Sequence, residues 1–224
     1  MLILALDTAT DSVGAAVLDT RSDRVVGRAS FVGPAAHGEQ LAPIVAAALE
    51  RAGARPSDLA AVGVGRGPGP YTGLRVGLVH AEVVGWALGI PVHGVCSLDV
   101  LAAATVASDA AVGAAGEGFL AVTDARRREV YWARYGPDGV RIEGPAVDRP
   151  ADVPGTTLLA VGAGAQRYPD RFTQRGDPLA PDPGVLARMV AARIAEGQPP
   201  EVSPLYLRRP DAVAAHTRKR VTPR

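Results

Sequence analysis

The spacing of apolar residues at the start of the chain predicts three short strands. Apolar runs cover residues 2–7, 13–19 and 24–31, and turn-forming residues separate them. Short strands with tight connections are typical of an antiparallel meander. We therefore expect the chain to begin with a three-stranded sheet.

Helical periodicity follows over residues 37–53. Apolar residues recur there at intervals of three and four, and Gly53 supplies a stop signal. The residues that share this apolar face are Leu41, Ile44, Val45, Ala48, Leu49 and Ala52. The pattern predicts an amphipathic first helix, with Pro43 in or near its first turn.

Strand and helix patterns then alternate. Residues 60–65 and 91–96 are apolar runs of the buried-strand type, and 72–89 between them reads as a helix. A third helix is predicted to begin at Ser97. The first half of the chain is thus three strands followed by alternating helices and strands.

The second half repeats this order. Residues 108–118 carry little that could anchor a core, so we place a boundary there. After it come strand patterns at 118–125, 129–135 and 139–144, an apolar segment at 156–164 and a helix at 183–197. An order seen twice predicts a duplicated ribonuclease-H-like α/β fold. The expected units are two subdomains, 1–108 and 118–202, and a basic tail, 203–224.

Composition restricts the class of protein. The chain of 224 residues is 47% apolar and 21% charged, which is ordinary for a globular protein. Asp7 interrupts the N-terminal apolar run too early for a signal peptide. No apolar run reaches the ~18 residues of a membrane span, and Cys96 is the only cysteine, so no internal disulfide can form. We expect a cytoplasmic protein without membrane segments.

Positive charge is concentrated at the C-terminus. Residues 203–224 carry six basic residues against Asp211 alone, a balance of +5, so the net charge of +1 leaves −4 for residues 1–202. A solvated tail is one interpretation. The other is a tether for RNA phosphates, since a tail of 22 residues can reach far from the body. The basic residues concerned are Arg208, Arg209, Arg218, Lys219 and Arg220.

The loop GRGPGPYTGLRVG, residues 65–77, resembles a phosphate-binding loop only in its glycine content. It lacks the lysine of a P-loop and the spacing of a dinucleotide fingerprint. Pro68 and Pro70 also remove two amide donors that a pyrophosphate would need. Two interpretations stay open: a strand-to-helix turn with Thr72 as the N-cap, and a loop that contacts an anion.

Small residues form a ridge along the helix that follows the loop. Gly73, Gly77, Ala81, Gly85 and Gly89 recur every four residues. Each glycine inside a helix costs about 1 kcal/mol relative to alanine, so close packing must offset several kcal/mol. The ridge either packs on the protein's own sheet or first helix, or forms a helix–helix seam with another subunit.

Two turns resemble the phosphate-contacting DxG[ST] turn of actin-like ATPases. Residues 7–10 read DTAT after the first strand, and residues 124–126 read DAR at the matching point of the second half. Both lack the glycine that would let the backbone approach a phosphate. They indicate descent from a nucleotide-binding fold more than a working ATPase.

The remaining residues offer little for catalysis. The histidines, His37, His80, His93 and His216, do not pair at metal-ligand spacing. Cys96 follows a buried-type strand and is expected to be a core thiol. No nucleophile, base and oxyanion site is recognisable, so we expect no catalytic residue, metal or cofactor.

Four segments together carry a family resemblance. In the motifs GRGPGPYTGLRVG, ILALDTAT, VTDARRREVYWARY and PLYLRRP the chain resembles the TsaB family, also called YeaZ, over nearly its whole length. The resemblance implies a duplicated actin-like fold, paralogous to TsaD. It also implies a non-catalytic role in placing threonylcarbamoyl on the adenosine beside the tRNA anticodon. TsaD transfers the group from threonylcarbamoyl-AMP, which TsaC makes, with help from the ATPase TsaE.

The resemblance further implies where partners bind. TsaB relatives pair with TsaD, or with themselves, through their first two helices, here 37–53 and 72–89, and contact tRNA only indirectly. The expected interface residues are Leu41, Val45, Leu49, Gly73, Gly77, Ala81 and Gly85. A bulky residue at Gly77 or Ala81 should then abolish pairing and leave the fold intact. The glycine loop would shape the start of an association helix.

The resemblance also implies that the chain lacks the metal-binding motif of TsaD. TsaD carries a metal-binding HxxxH motif just past the strand PVHGVC, and the matching positions here are Ser97 and Leu101. Two other classes stay open as alternatives. One is a free-standing ATP-dependent phosphotransferase of the actin-like superfamily, and the other is a glycoprotease-like hydrolase.

Overall fold

The first sheet has five strands in a mixed arrangement. A computed structural model describes residues 1–33, 37–108 and 117–208. Strands β1 (Leu2–Asp7), β2 (Ser12–Asp19) and β3 (Arg24–Val32) form the predicted antiparallel meander. Strands β4 (Leu59–Gly65) and β5 (Val92–Val95) run parallel to β1, giving the order β3-β2-β1-β4-β5.

Three helices of the first half occur as the periodicity predicts. They are α1 (His37–Ala52), α2 (Tyr71–Leu88) and α3 (Ser97–Val106), and a 3₁₀ turn (Pro56–Asp58) precedes β4. Pro43 lies in the second turn of α1, close to the first turn as predicted. One detail was wrong. Thr72 is not the N-cap of α2, because Pro70 occupies that position and the helix begins at Tyr71.

The second sheet repeats the topology of the first. Its strands are β6 (Phe119–Asp124), β7 (Val130–Tyr135), β8 (Arg141–Asp148), β9 (Leu159–Val161) and β10 (Gln174–Gly176). Their order, β8-β7-β6-β9-β10, matches the first sheet strand for strand. The prediction of a duplicated ribonuclease-H-like, actin-like fold is confirmed. A short helix, α4 (Ala163–Arg167), ends the predicted apolar segment 156–164.

The last helix of the described residues packs on the sheet of the other half. Helix α5 (Pro183–Ala195) starts at Asp182, whose carboxylate accepts hydrogen bonds from the backbone N–H groups of Gly184 and Val185. It lies across β1, β2 and β4, where a Cβ on Gly63 would come within 2.8 Å of Leu186. The division at 108–118 stays a prediction. Residues 109–116 lie outside the described residues. Helix α5 belongs to the second half in sequence but packs on the sheet of the first half.

The first sheet is therefore covered on both faces. Helices α1 and α2 pack on one face, over a core that includes Leu6, Leu41 and Leu74. Helix α5 packs on the other, over Ile3 and Ala61. This arrangement leaves the outer sides of α1 and α2 at the surface. In the described part of the chain, no helix is both long and apolar enough to cross a membrane.

Candidate partner interface

The small-residue ridge of α2 packs inside the protein. A Cβ on Gly77 would lie 2.4 Å from the Thr8 hydroxyl oxygen, and one on Gly85 would lie 2.3 Å from a Val92 methyl carbon. The Thr8 hydroxyl donates to the Gly73 carbonyl at 2.8 Å and accepts from the Gly77 N–H at 3.1 Å. The missing side chains thus let α2 approach the end of β1 and the start of β5.

All the residues expected to contact a partner are buried in the chain itself. They are Leu41, Val45, Leu49, Gly73, Gly77, Ala81 and Gly85. Of the two interpretations of the ridge, the structure shows the internal one, packing on the protein's own sheet and turn. Their packing holds α1 and α2 in place, and their direct contact with a partner stays a prediction.

The opposite side of α2 is apolar and exposed. Tyr71, Val79, Val83 and Trp86 are exposed large side chains, and Trp86 keeps 87% of its surface accessible. The Arg75 guanidinium carbon lies 4.7 Å from the centre of the Tyr71 ring. We call Tyr71, Arg75, Val79, Val83 and Trp86 the α2 outer face. Contiguous exposed apolar surface of this kind marks interaction sites.

The composition and shape of the α2 outer face favour a protein partner. Tyr, Trp and Arg are the residue types enriched where interfaces carry most of their binding energy. An open groove of about 690 Å³ runs along the helix between Tyr71 and Val83. Burial lowers the pKa of His80 in that groove, so its imidazole is neutral at pH 7. Among its five residues Arg75 carries the single charge, and the exposed Glu82 lies beside Val79 and Trp86 on the helix.

The sequence contained a signal for this face. Positions 71, 75, 79, 83 and 86 follow one another by three or four residues, which is the spacing of a helix face. The signal was obscured because the glycine ridge has the same period on the opposite side of the helix. Which side meets the sheet depends on where Thr8 and Val92 lie in three dimensions.

The glycine loop is packed against the first degenerate phosphate turn. A Cβ on Gly69 would lie 2.4 Å from the Ala9 carbonyl oxygen, and one on Gly65 would overlap the Asp7 carboxylate. The Gly67 carbonyl accepts a hydrogen bond from the Ser97 N–H at 2.8 Å. The loop therefore lies directly on residues 7–9 and leads into α2, as the turn interpretation requires.

Asp7 is sealed beneath this loop. One carboxylate oxygen accepts from the Ala9 N–H and the other from the Ser97 hydroxyl, both at 2.7 Å. Burial raises the pKa of Asp7 to about 6, although these two hydrogen bonds and His37 oppose the shift. His37 itself lies with Nε2 2.7 Å from the Thr10 carbonyl oxygen. Each oxygen of Asp7 thus already accepts a hydrogen bond from within the chain, and the carboxylate is buried.

The raised pKa of Asp7 makes stability depend on pH. The folded protein binds this proton more tightly than the unfolded chain, so the group's contribution is most favourable below pH 3.8 and is lost as pH rises through about 6. The shift corresponds to a loss of roughly 3 kcal/mol. In Asp7→Asn this loss is expected to be absent. Urea unfolding of both proteins between pH 4.5 and 7 measures it, and parallel pH profiles would contradict the assignment.

The second degenerate turn joins the two halves. Arg126 pairs with Asp124 at its own strand end and with Asp11 from the first half. Arg208, the first predicted tail contact, donates to the Ala125 carbonyl at 3.1 Å and pairs with Glu129. It is therefore engaged within the protein. The other four tail residues, Arg209, Arg218, Lys219 and Arg220, lie outside the described residues.

The single cysteine and the two positions that match the metal-binding histidines of TsaD are core residues in this structure. The Cys96 thiol is buried, which raises its pKa to about 11, so the prediction of a core thiol is confirmed. Ser97 is fully buried and engaged by Asp7, and Leu101 is fully buried. Within residues 1–33, 37–108 and 117–208, no three His, Cys, Asp or Glu side chains are grouped as metal ligands.

Comparison with known proteins assigns the family. The model of the family TsaD, tRNA N6-adenosine threonylcarbamoyltransferase, matches residues 32–175. The tRNA threonylcarbamoyladenosine biosynthesis protein TsaB of Escherichia coli K12 is 31% identical over 227 residues, which cover 93% of this chain and 95% of the relative. The chain belongs to the TsaB family. The resemblance seen in the sequence motifs is thereby confirmed.

Other relatives match this chain over nearly their full length. YeaZ from Pseudomonas aeruginosa is 29% identical and superposes with a TM-score of 0.76, covering 92% of this TsaB-family chain and 99% of YeaZ. An uncharacterized protein of Mycobacterium tuberculosis H37Rv is 47% identical over 211 residues, which cover 94% of this chain and 93% of the relative. The TsaD family model thus matches residues 32–175 of a chain that belongs to the TsaB family.

Proposed function

We propose that this chain is a non-catalytic subunit of a complex that forms threonylcarbamoyladenosine in tRNA. In this proposal it binds and supports a TsaD partner, and TsaD carries out the transfer. The relatives from E. coli and Bacillus subtilis are tRNA threonylcarbamoyladenosine biosynthesis proteins, which supports this pathway. The proposal places the protein in the cytoplasm, where tRNA is modified.

The proposed binding role rests on the exposed, apolar α2 outer face. Three apolar side chains, Val79, Val83 and Trp86, point away from the protein's own core. Burying each of them against a partner contributes about 1.5–3 kcal/mol. The helix that presents them is fixed from behind by the close contact of Gly77 with Thr8. A rigid, preformed apolar face loses little conformational entropy on binding.

The proposed surface lies on one of the two helices that were expected from the sequence to carry the interface. It consists of different residues of that helix. Helices 37–53 and 72–89 were expected to carry the interface, and the α2 outer face is the exposed side of the second. The same face can also pair two copies of this chain, because a two-fold homodimer uses the same patch on both subunits. We propose the TsaD pairing as the functional one, with TsaE reached through that complex.

The geometry around Asp7 supports the non-catalytic part of the proposal. Both carboxylate oxygens are occupied by internal donors, and Gly69 lies against the Ala9 carbonyl. A magnesium–nucleotide complex at this turn would have to displace the loop 65–70. Calorimetry of the purified chain with ATP and magnesium is therefore expected to show no tight binding. Tight binding with turnover by the chain alone would favour the phosphotransferase alternative.

Co-purification with the organism's own TsaD tests the proposal. We expect a stable complex that, supplied with threonylcarbamoyl-AMP, TsaE and ATP, forms the modified base on tRNA. TsaD without this chain is expected to be far less active, and this chain without TsaD inactive. Modification by TsaD at an unchanged rate without this chain would overturn the proposal. So would modification by this chain alone.

A further inference from the structure

The last described residues form an irregular segment that crosses from the first half of the protein to the second. At its start, the Glu201 carbonyl accepts a hydrogen bond from the Gly94 N–H at 2.7 Å, on β5 at the edge of the first sheet. At its end, Arg208 donates to the Ala125 carbonyl at 3.1 Å, just after β6 of the second sheet. We call residues 201–208 the crossing segment.

Hydrogen bonds, an ion pair and apolar contacts hold the crossing segment in place. The Leu205 N–H donates to the Arg66 carbonyl at 2.8 Å, and the Arg66 guanidinium pairs with the Glu201 carboxylate at 2.6 Å. Leu205 and Leu207 pack against the core of the second half. A Cβ on Gly94 would lie 2.6 Å from the Glu201 carbonyl oxygen, so the segment lies directly on β5. Its backbone is therefore ordered before any partner binds.

Tyr206 is exposed between two half-buried leucines. Leu205 and Leu207 contact the core, whereas Tyr206 keeps 43% of its surface accessible. The centre of its ring lies 5.1 Å from the centre of the Tyr71 ring, with an angle of 34° between the ring planes. Aromatic rings at this separation attract one another. Because Tyr71 belongs to the α2 outer face, Tyr206 extends that face onto the crossing segment.

The α2 outer face alone is small for a stable complex. It consists of five residues, whereas an interface of standard size uses about 20–30 residues on each side. A partner seated on α2 must therefore contact further surface beside it. Tyr206 adjoins the N-terminal end of α2 through Tyr71, and tyrosine is one of the residue types that carry most binding energy in interfaces.

We propose that the crossing segment is part of the surface that binds TsaD, with Tyr206 as one of its main contacts. The inference rests on the proposed function, which supplies TsaD as the partner and the α2 outer face as the centre of the interface. The partner then contacts two elements at once, α2 and the crossing segment. Its binding is expected to stabilise the hydrogen bonds that join the segment to Arg66 and Gly94.

Replacing Tyr206 with alanine tests this contact. Calorimetric titration with TsaD is expected to show a loss of affinity of roughly 10- to 100-fold. Tyr206→Phe keeps the ring and is expected to bind within about threefold of the wild type. The matched control is Leu179→Ala, which shortens a 44% exposed side chain in the loop between β10 and α5. We expect this control to bind TsaD like the wild type.

Hydrogen exchange distinguishes a lost contact from a loosened segment. The Leu205 amide, which donates to the Arg66 carbonyl, reports whether the segment stays in place. We expect it to exchange at the same rate in the free wild type and in free Tyr206→Ala, and more slowly in the wild-type complex. Faster exchange in the free variant would assign the loss of affinity to the segment's own packing and overturn the contact.

The remaining outcomes separate this inference from the proposed function. Wild-type affinity of Tyr206→Ala for TsaD, together with loss of pairing in Val83→Glu, would overturn the inference and leave the proposed function standing. Weaker self-association of Tyr206→Ala at unchanged affinity for TsaD would also overturn it, because the segment would then bind a second copy of this chain. If the wild-type chain and TsaD do not associate at all, the proposed function fails and this inference fails with it.

Discussion

Replacing Val83 with glutamate is expected to abolish pairing with TsaD while the chain stays folded. Val83 lies in the middle of the α2 outer face and is 56% exposed. The change therefore costs the monomer little, and glutamate is a good helix former. Association would bury the new carboxylate without a partner, at a cost of about 3 kcal/mol or more. Such a cost lowers affinity by a factor of about 100 or more.

Calorimetric titration with TsaD measures this affinity, and circular dichroism melting checks the fold. The matched control is Ile142→Glu. It makes the same change from an apolar to an acidic side chain, at a 62% exposed position on β8 in the other half of the protein. We expect the control to pair and support modification like the wild type. Equal affinity of both variants for TsaD would show that the α2 outer face is not the interface.

Replacing Gly77 with alanine is expected to destabilise the fold by about 2–4 kcal/mol. The new Cβ would lie 2.4 Å from the Thr8 hydroxyl oxygen, which is held by hydrogen bonds to the backbone of Gly73 and Gly77. Overpacking costs about 1–3 kcal/mol, and each buried group left unpaired costs about 1–3 kcal/mol more. The gain in helix propensity, about 1 kcal/mol, does not offset these costs.

The matched control for this effect is Gly38→Ala in α1. A Cβ there meets no atom within 4 Å, so the variant is expected to match the wild type or exceed its stability by up to about 1 kcal/mol. Urea unfolding of the two variants and the wild type gives both differences. A Gly77→Ala protein as stable as the wild type would show that α2 does not pack as described. The fold-neutral loss of pairing expected from the sequence alone is replaced by this prediction.

Long, strongly patterned elements were predictable from the sequence. Strand β1 and helix α1 carry enough apolar residues at one period for the pattern to identify them. Helix α4, with five residues, and strand β10, with three, are too short to show a period, and both were missed. The fold class followed from the order of elements, which does not depend on such short pieces.

The candidate interface was predictable to the level of the helix but not of the residue. Helix α2 is apolar on two sides, and its sequence does not tell which side faces the sheet. The choice is made by Thr8, whose hydroxyl accepts from the Gly77 N–H, and by Val92, which fills the space beside Gly85. Thr8 follows β1, far before α2 in the sequence, and Val92 begins the strand after α2. The pattern within the helix itself therefore could not show which of its sides these two residues meet.

The position of α5 has a consequence for how the protein is made. Leu186 and Val190 cover Gly63 on the face of the first sheet that α1 and α2 leave open. A ribosome must therefore synthesise almost the entire chain before its earliest strands are enclosed. Until then one apolar face of the sheet is exposed to solvent in the nascent polypeptide. We therefore expect the two halves to fold cooperatively, and a fragment ending at residue 108 to aggregate.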